Sequence, residues 1–272
     1  MNLKVGFIGG GNMAEAFIDA LVNGEFLIPS QVFVSDISRE RLDYLSDKYG
    51  VKAFLSNIEV VSNCDVVFLA VKPQVLSAVL REVKDFLTDA QVLVSMAAGY
   101  PLRKVEGIVG DDKKVVRIMP NILVKVRRGV IAYCDNKRLL EEDRELVKRL
   151  LSATGKVVDV EEKLFDSVTA VSGSSPAFFF AIIEAMCDGA VFTGMPRDLA
   201  LELIRETVAG CAEMLKGEHP EVLKDKVTSP AGTTIAGLRA FEKNGGRFAL
   251  IEAVDAAFRR SREITRLIEE SD

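Results

Sequence analysis

The stretch Lys4 to Phe17, KVGFIGGGNMAEAF, constrains the fold of this chain more than any other part of it. Val5, Phe7 and Ile8 make a short apolar run with no solvated face. Gly9, Gly10 and Gly11 then let the backbone reverse, and Ala14, Ala16 and Phe17 begin a helical stripe. The spacing Gly9-x-Gly11-x-x-Ala14 is that of a dinucleotide-binding turn, with alanine as the third small residue. Gly9 suits the tight turn, Gly11 the approach of backbone to a pyrophosphate, and Ala14 the close packing of helix on strand. The N–H groups of the first helical turn would then face the phosphates. A glycine triplet after an apolar run also makes an ordinary strand-to-helix loop, so the context decides.

That context is an alternation of strands and helices. Gln31 to Ser35 (QVFVS) reads as a second strand ending at Asp36, where such folds place the group that reads the adenosine ribose. An aspartate at a strand end is equally a turn former. Arg39 to Tyr49 sets Leu42 and Leu45 on one helical face before Gly50, and Val51 to Phe54 reads as a short edge strand. Asp65 to Val71 is a buried strand followed at once by Lys72-Pro73-Gln74 and a helix to about Phe86. Gln91 to Met96 repeats the pattern and breaks at Ala97-Ala98-Gly99. Val115 to Ile118 and Val130 to Tyr133 are further strands, and Glu141 to Leu151 is an amphipathic helix before Gly155. Parallel βαβ units follow, so residues 1–160 are expected to form a Rossmann-type, doubly wound parallel sheet.

From Leu164 no convincing strand appears, and long helical patterns run to Glu270, which predicts an all-helical domain over 161–272. Ser175 and Pro176 look like the N-cap and first residue of a helix to about Thr193, ended by Gly194 and Pro196. Phe178, Phe179, Phe180, Ile182, Ile183, Met186 and Val191 put apolar side chains around nearly its whole circumference, so it should be buried on all sides. A helical domain of ~110 residues rarely surrounds such a helix unaided, and subunits are expected to pack through it. The alternative is a helix roofed by the other domain.

With 272 residues and 49% hydrophobic content, the chain has material for a sizeable core. A net charge of −5 without any block of Lys or Arg excludes a nucleic-acid footprint. Cys64, Cys134, Cys187 and Cys211 stand far apart with no metal-ligand spacing, and no signal-peptide pattern precedes the first strand. Reduced thiols in the cytoplasm and no metal are expected. The longest apolar stretch, Ala177 to Ile183, stops at Glu184 and Asp188, short of the ~20 residues of a membrane span, so a soluble protein without a membrane partner is expected.

Val227 to Phe241, VTSPAGTTIAGLRAF, crowds Thr228, Ser229, Pro230, Gly232, Thr233 and Thr234 before a helical run. Such a loop offers N–H and O–H donors and the positive end of a helix dipole to a small carboxylate. Composition alone equally allows Ser229 and Thr233 to be helix caps. His219, the only histidine, lies beside Pro220 in a polar turn, which argues against a histidine proton relay.

The motifs FIGGGNMAEA (7–16), AVKPQ (70–74), SMAAG (95–99), VSGSSPAF (171–178) and LKDKVTSPAGTTIAGL (223–238) together resemble those of the pyrroline-5-carboxylate reductases. The resemblance implies NAD(P)H-dependent reduction of 1-pyrroline-5-carboxylate to proline, and a helical domain that forms a homodimer or a larger dimer-based ring. By position it implies that Gly9, Gly11, Asn12 and Met13 hold the pyrophosphate. Asn57, Val71, Lys72 with Pro73, and Ala98 would line the cofactor, and Ser229, Gly232, Thr233 and Thr234 would seat the substrate. Thr234 would orient the ring nitrogen, and Lys72 is the one charged candidate near the reacting centre. Two departures stand out. Met119-Pro120-Asn121-Ile122-Leu123 replaces the usual MPNTP, and Asp36 stands where NADPH-preferring members carry a small or polar residue. With Asp36 opposing a 2′-phosphate, and Ser35 and Arg39 favouring it, NADH is expected to serve at least as well as NADPH. The competing readings are a 6-phosphogluconate or β-hydroxyacid type dehydrogenase, a related cyclic imine reductase, and a nicotinamide-binding regulatory protein without turnover. The first of these usually needs a lysine on the helical domain, and Phe178 to Ile183 offers none.

Overall fold

A computed structural model describes residues 3–271, which form two compact units, one running to Ser174 and resuming at Ala257, the other spanning Ser175–Ala256. The division thus falls at Ser174/Ser175 rather than at 160, and the last stretch of chain belongs with the first unit.

The first unit is built on an eight-stranded sheet in the order β3-β2-β1-β4-β5-β6-β7-β8. The strands are β1 (Val5–Ile8), β2 (Val32–Ser35), β3 (Lys52–Phe54), β4 (Val66–Leu69), β5 (Val92–Ser95), β6 (Lys114–Met119), β7 (Gly129–Asp135) and β8 (Gly155–Asp159). Strands β1, β2, β4 and β5 are buried throughout, which explains their unbroken apolar sequences: both faces of the sheet are covered. Alternate side chains go to opposite faces. Phe7 and Phe68 stack, centroids 4.9 Å apart, on the face covered by helices α1 (Asn12–Val22), α2 (Arg39–Tyr49) and α6 (Glu141–Ser152). Ile8, Val67 and Leu69 face α3 (Asn57–Val61), α4 (Pro73–Val83) and α5 (Leu102–Val109).

Two local expectations are met in detail: Gly50 ends α2 in the left-handed region (φ 69°), and β3 lies at the sheet edge. The structure adds the N-terminal cap of α2, where Ser38 accepts from the Arg41 N–H. The doubly wound parallel sheet is found as expected, with one exception, since β7 runs antiparallel to β6. The linker between them holds only one 3₁₀ turn (Ile122–Val126), too short for the crossover that a parallel neighbour requires. Helices α3 and α5 and strand β8 carry weak sequence patterns and emerge only in the structure.

The helical run through α7 (Phe165–Val168) passes by a wide π turn (Thr169–Ser174) straight into α8 (Ser175–Phe192). Ser175 is therefore not an N-cap. A proline inside a helix forfeits a hydrogen bond and collides with the preceding turn; the wide turn just before Pro176 relieves both. The run Glu162–Phe192, 31 residues, is long and apolar enough to cross a membrane by length and composition. That corrects the expectation of a stretch too short to span, which counted only consecutive apolar residues. Within the single chain only Pro176 and Cys187 of α8 are buried, while Phe179 and Phe180 are 58% and 59% exposed. The expectation of a helix buried on all sides is thus not met by one chain alone.

The rest of the second unit is α9 (Arg197–Met214), α10 (Pro220–Lys226), α11 (Thr233–Lys243) and the first part of α12 (Gly246–Glu270). The last part of α12 belongs to the first unit, where Ser261 and Thr265 donate to Asp166 Oδ1 at 2.7 and 2.9 Å. Lys104 caps its end by donating to the Ile268 and Ser271 carbonyls.

Candidate active site

In an open α/β sheet, ligands bind outside the carboxyl ends of the strands where the strand order reverses. Here that point lies between β1 and β4. The chain leaves β1 at Gly9, whose φ of +98° and N–H bond to the Ser35 carbonyl (2.8 Å) turn it sharply. A Cβ on Gly9 would lie 2.8 Å from the Ala70 carbonyl oxygen and 3.0 Å from Val71 Cγ1, so the loops after β1 and β4 touch. Gly11 differs. Its backbone is ordinary (φ −66°), and a Cβ there would meet nothing within 4 Å. Gly11 is the N-cap of α1 and no side chain caps the helix, so the first-turn N–H groups face an open cradle. The cradle suits a pyrophosphate, whose close approach a side chain on Gly11 would obstruct.

Around this turn the structure gathers the sequence-selected residues of the sheet edge. Asp36 accepts from the Gly10 N–H (Oδ2, 2.8 Å) and from the Ser38 N–H (Oδ1, 2.9 Å), which fixes its carboxylate beside the glycine turn. Ser35 is fully buried and gives its hydroxyl to Asn57 Oδ1 at 2.8 Å. Its side chain therefore supports Asn57 instead of facing a ligand. Asn57 in turn donates to Glu82 at 2.9 Å. Arg39, at the start of α2, is exposed. Lys72 occupies the N-cap position of α4 and is exposed, with Pro73 as the first helical residue. Ala98 and Gly99 follow β5, and Gly99, at φ +70°, is pressed against α12, where an added Cβ would lie 2.9 Å from Ile264 Cγ2. Met13 is half-buried and Asn12 exposed. Asn121 is buried with both ends of its amide in use: it accepts from the Leu123 and Val130 N–H groups and donates to the Ser172 carbonyl. It staples the β6–β7 linker to the wide turn.

Sequence reasoning passed over one cluster. Arg41 Nε donates to the Gly10 carbonyl at 2.5 Å, its terminal nitrogen pairs with Glu15, and its guanidinium stacks 4.9 Å from the Tyr44 ring centroid. Glu15 also receives hydrogen bonds from Lys48, Tyr44 and Tyr49. Partial burial opposes ionisation of Glu15, but the bonds from Arg41, Lys48 and Tyr44 outweigh it and hold its pKa down at about 2. The hydrogen bonds of Lys48 to Tyr44 and Glu15 raise the lysine in step. Only the fold brings these residues together; the faint signal in sequence is an acidic residue in the first turn of α1 with basic residues on α2.

The second unit presents its own donor group. Thr228 donates to the Lys224 carbonyl (2.7 Å), Ala231 takes a positive φ of 57°, and Gly232 is the N-cap of α11 with no side-chain cap. A Cβ on Gly232 would lie 2.3 Å from Ser229 Oγ, so the loop folds back closely on Ser229 and a side chain at 232 would displace that hydroxyl. The reading of Ser229 and Thr233 as helix caps does not hold. The N–H groups of Thr233 and Thr234 stand at an uncapped, positively polarised helix start, Thr233 exposed and Thr234 half-buried.

No metal-binding cluster of His, Cys, Asp or Glu occurs among the described residues. All four cysteines are free, and burial pushes the Cys64 and Cys134 thiols up to about 12, which leaves them protonated at neutral pH. His219 caps α10 by accepting from the Glu221 N–H at 3.3 Å.

Comparison with known proteins agrees with this arrangement. A family model described as pyrroline-5-carboxylate reductase dimerisation matches residues 162–264, and one described as NADP oxidoreductase, coenzyme F420-dependent, matches residues 4–99. The pyrroline-5-carboxylate reductase of Methanosarcina acetivorans is 42% identical over 265 residues, covering 97% of this chain and 98% of the relative. That of Escherichia coli is 38% identical, with 98% and 100% covered. The crystal structure of a Plasmodium falciparum pyrroline carboxylate reductase with NADP bound superimposes with a TM-score of 0.89 at 32% identity, covering 97% of this chain and 98% of that one. With a glycine turn at the switch point of its sheet, an uncapped TSPAGTT helix start and this near full-length identity, the chain belongs to the pyrroline-5-carboxylate reductase family.

Proposed function

We propose that the chain reduces 1-pyrroline-5-carboxylate to L-proline with a nicotinamide cofactor, the last step of proline biosynthesis. The observation that carries this reading, within the family, is the uncapped Gly232–Thr234 start of α11 after a hydroxyl-rich loop, a seat for one small carboxylate.

The reduced nicotinamide supplies the hydride for the C=N bond. The protein's part is to hold two reactants in line. The N–H groups of Gly11 and Asn12 bind the pyrophosphate at the start of α1, and Gly9 and Met13 shape the turn. Asn57, Val71, Lys72, Pro73 and Ala98 line the cofactor. Ser229, Gly232, Thr233 and Thr234 hold the substrate carboxylate, and the Thr234 hydroxyl contacts the ring nitrogen. The imine enters already protonated, so no histidine is required; His219 is occupied as a helix cap. Lys72, exposed at the end of β4, adds positive charge near the reacting groups.

NADH serves at least as well as NADPH in this reading. Support comes from Asp36, whose carboxylate is held at the end of β2 by two backbone N–H groups, while Arg39 is exposed and free to move. The exposed apolar faces of α8 and α9 support a homodimer or a dimer-based larger assembly, with α8 in a subunit interface and not in lipid. A cytoplasmic enzyme acting on a small molecule, without nucleic-acid or membrane partners, completes the reading.

The test is the loss of reduced-nicotinamide absorbance on mixing protein, NADH or NADPH, and the five-membered imine, with a six-membered imine alongside. Turnover of the five-membered ring alone supports the proposal. Preference for the six-membered ring would make the chain a related imine reductase. Cofactor binding without turnover of either would make it a nicotinamide-binding regulator.

A further inference from the structure

Gly10 occupies the position in the glycine turn at which a dinucleotide fingerprint makes no demand, yet the structure has a use for it. A Cβ on Gly10 would lie 2.9 Å from Leu45 Cδ1, 3.4 Å from Asp36 Oδ2 and 3.6 Å from Arg41 Cγ. Helix α2 therefore presses directly on the turn. The turn is also held from both sides: the Gly10 N–H donates to Asp36, just past the end of β2, and the Gly10 carbonyl accepts from Arg41 Nε of α2.

The second grip reaches the ligand cradle through the geometry of the peptide bond. The carbonyl of Gly10 and the N–H of Gly11 belong to one planar trans peptide, so they point in opposite directions. Holding the carbonyl toward α2 aims the Gly11 N–H away from α2, and no hydrogen bond from that N–H is found among the described residues. Gly11 itself is exposed, with open space where a side chain would be.

Arg41 is built to hold this direction. Its guanidinium is fixed by the Gly10 carbonyl, by Glu15 in the first turn of α1, and by the Tyr44 ring. A lysine has no planar fork with which to bridge two acceptors in this way. Glu15 would otherwise set a negative charge in the helix turn that is to receive phosphates, and pairing with both Arg41 and Lys48 offsets it.

We propose that Arg41 is a positioning residue for the cofactor pyrophosphate: it orients the Gly10–Gly11 peptide and, with Lys48, screens Glu15, and so is not available to clamp a 2′-phosphate. The proposal rests on the reading that the dinucleotide binds at the Gly9–Asn12 turn, and the experiment separates the two. Cofactor Kd by nicotinamide fluorescence, competitive inhibition by ADP, and steady-state constants are measured for Arg41→Met, Arg41→Lys, Glu15→Gln and Gly11→Ala, with thermal unfolding of each. The expected result is a cofactor Kd and an ADP inhibition constant raised at least tenfold by Arg41→Met. The cofactor KM should rise more than kcat falls, the imine KM should hold, and the loss should be equal for NADH and NADPH. Arg41→Lys should recover only part of it. If Gly11→Ala weakens cofactor binding and Arg41→Met does not, the positioning role is wrong. A loss with Arg41→Met confined to NADPH would make it a 2′-phosphate ligand and also overturn the proposal. If neither variant changes cofactor affinity, the dinucleotide does not bind at this turn and both readings fall. Should Arg41→Met not fold, Arg41→Lys decides by the same measurements, with an expected rise in Kd of threefold or more and refutation if the Kd is unchanged.

Discussion

The two outer glycines of the turn make a paired experiment, because the structure separates a conformational need from a ligand's need. Gly9 sits at φ +98°, and a Cβ there would come within 2.8 Å of the Ala70 carbonyl oxygen and 2.9 Å of its carbon, backbone atoms that cannot swing aside. Gly9→Ala therefore combines backbone strain of about 1–3 kcal/mol with overpacking of about 1–3 kcal/mol. Taking the low end of each, the loss is at least about 2 kcal/mol, or about 4 °C in Tm for a unit of this size. Gly11→Ala should behave oppositely. At φ −66° and ψ −176° alanine is unstrained, and nothing lies within 4 Å of the new methyl group. Two small effects nearly cancel, since alanine restricts the unfolded chain, worth about 0.4–1 kcal/mol, but is a poorer N-cap than glycine. The protein without cofactor should unfold within about 2 °C of wild type. Cofactor affinity should fall nonetheless, because the methyl group holds the pyrophosphate off the helix start. Losing one charge-assisted hydrogen bond of about 1.5–3 kcal/mol weakens binding roughly 10- to 150-fold. Differential scanning fluorimetry without cofactor and a fluorescence titration with NADH measure the two quantities. Unchanged affinity in Gly11→Ala would refute the cradle, and an unstrained, fully stable Gly9→Ala would refute the account of the turn.

Four further outcomes are expected. Thr234→Ala should lower kcat/KM for the imine by about 1–3 kcal/mol of transition-state binding without altering cofactor Kd, and an equal loss in cofactor affinity would remove this loop from the substrate site. Asp36→Ser should shift the kcat/KM ratio toward NADPH, because a carboxylate ~4 Å from a phosphate repels it by about 4 kcal/mol at an effective dielectric of 20, while Arg39→Ala should cost NADPH more than NADH; a wild-type preference for NADPH beyond about tenfold counts against this. Phe179→Asp should dissociate or unfold the assembly in sedimentation experiments, since an unpaired charge buried between subunits costs several kcal/mol, and a stable active monomer of the wild type would remove α8 from any interface. Glu15, with its pKa lowered from 4.5 to about 2, binds fewer protons folded than unfolded, so its stabilising contribution is complete above pH 4.5 and disappears as pH falls through about 2; Glu15→Gln should flatten the acid-side stability profile in that window, and an unchanged profile would show that the cluster does not hold in solution.

Much of this protein is written locally. Apolar runs such as Val66–Leu69, the cap at Ser38 and the left-handed stop at Gly50 act over a few residues, so sequence alone determined the alternating strands and helices, the glycine turn, the change to helices after Leu164 and the family. The features it did not determine depend on residues far apart in the chain. Gly10 is needed because Leu45 and Arg41 press on it, Ser35 is spent on Asn57, and Gly99 is shaped by Ile264 of a helix 165 residues further on. The antiparallel β7 follows from a linker too short to cross over, which periodicity does not register. The return of the C-terminal segment to the first unit rests on Asp166 meeting Ser261 and Thr265, and the wide turn lets Pro176 stand within a continuing helix. Periodicity reports which face of an element is apolar. Which distant element covers that face, and which polar group meets which, is settled only when the whole chain packs, because burial and hydrogen-bond satisfaction are properties of the assembled core.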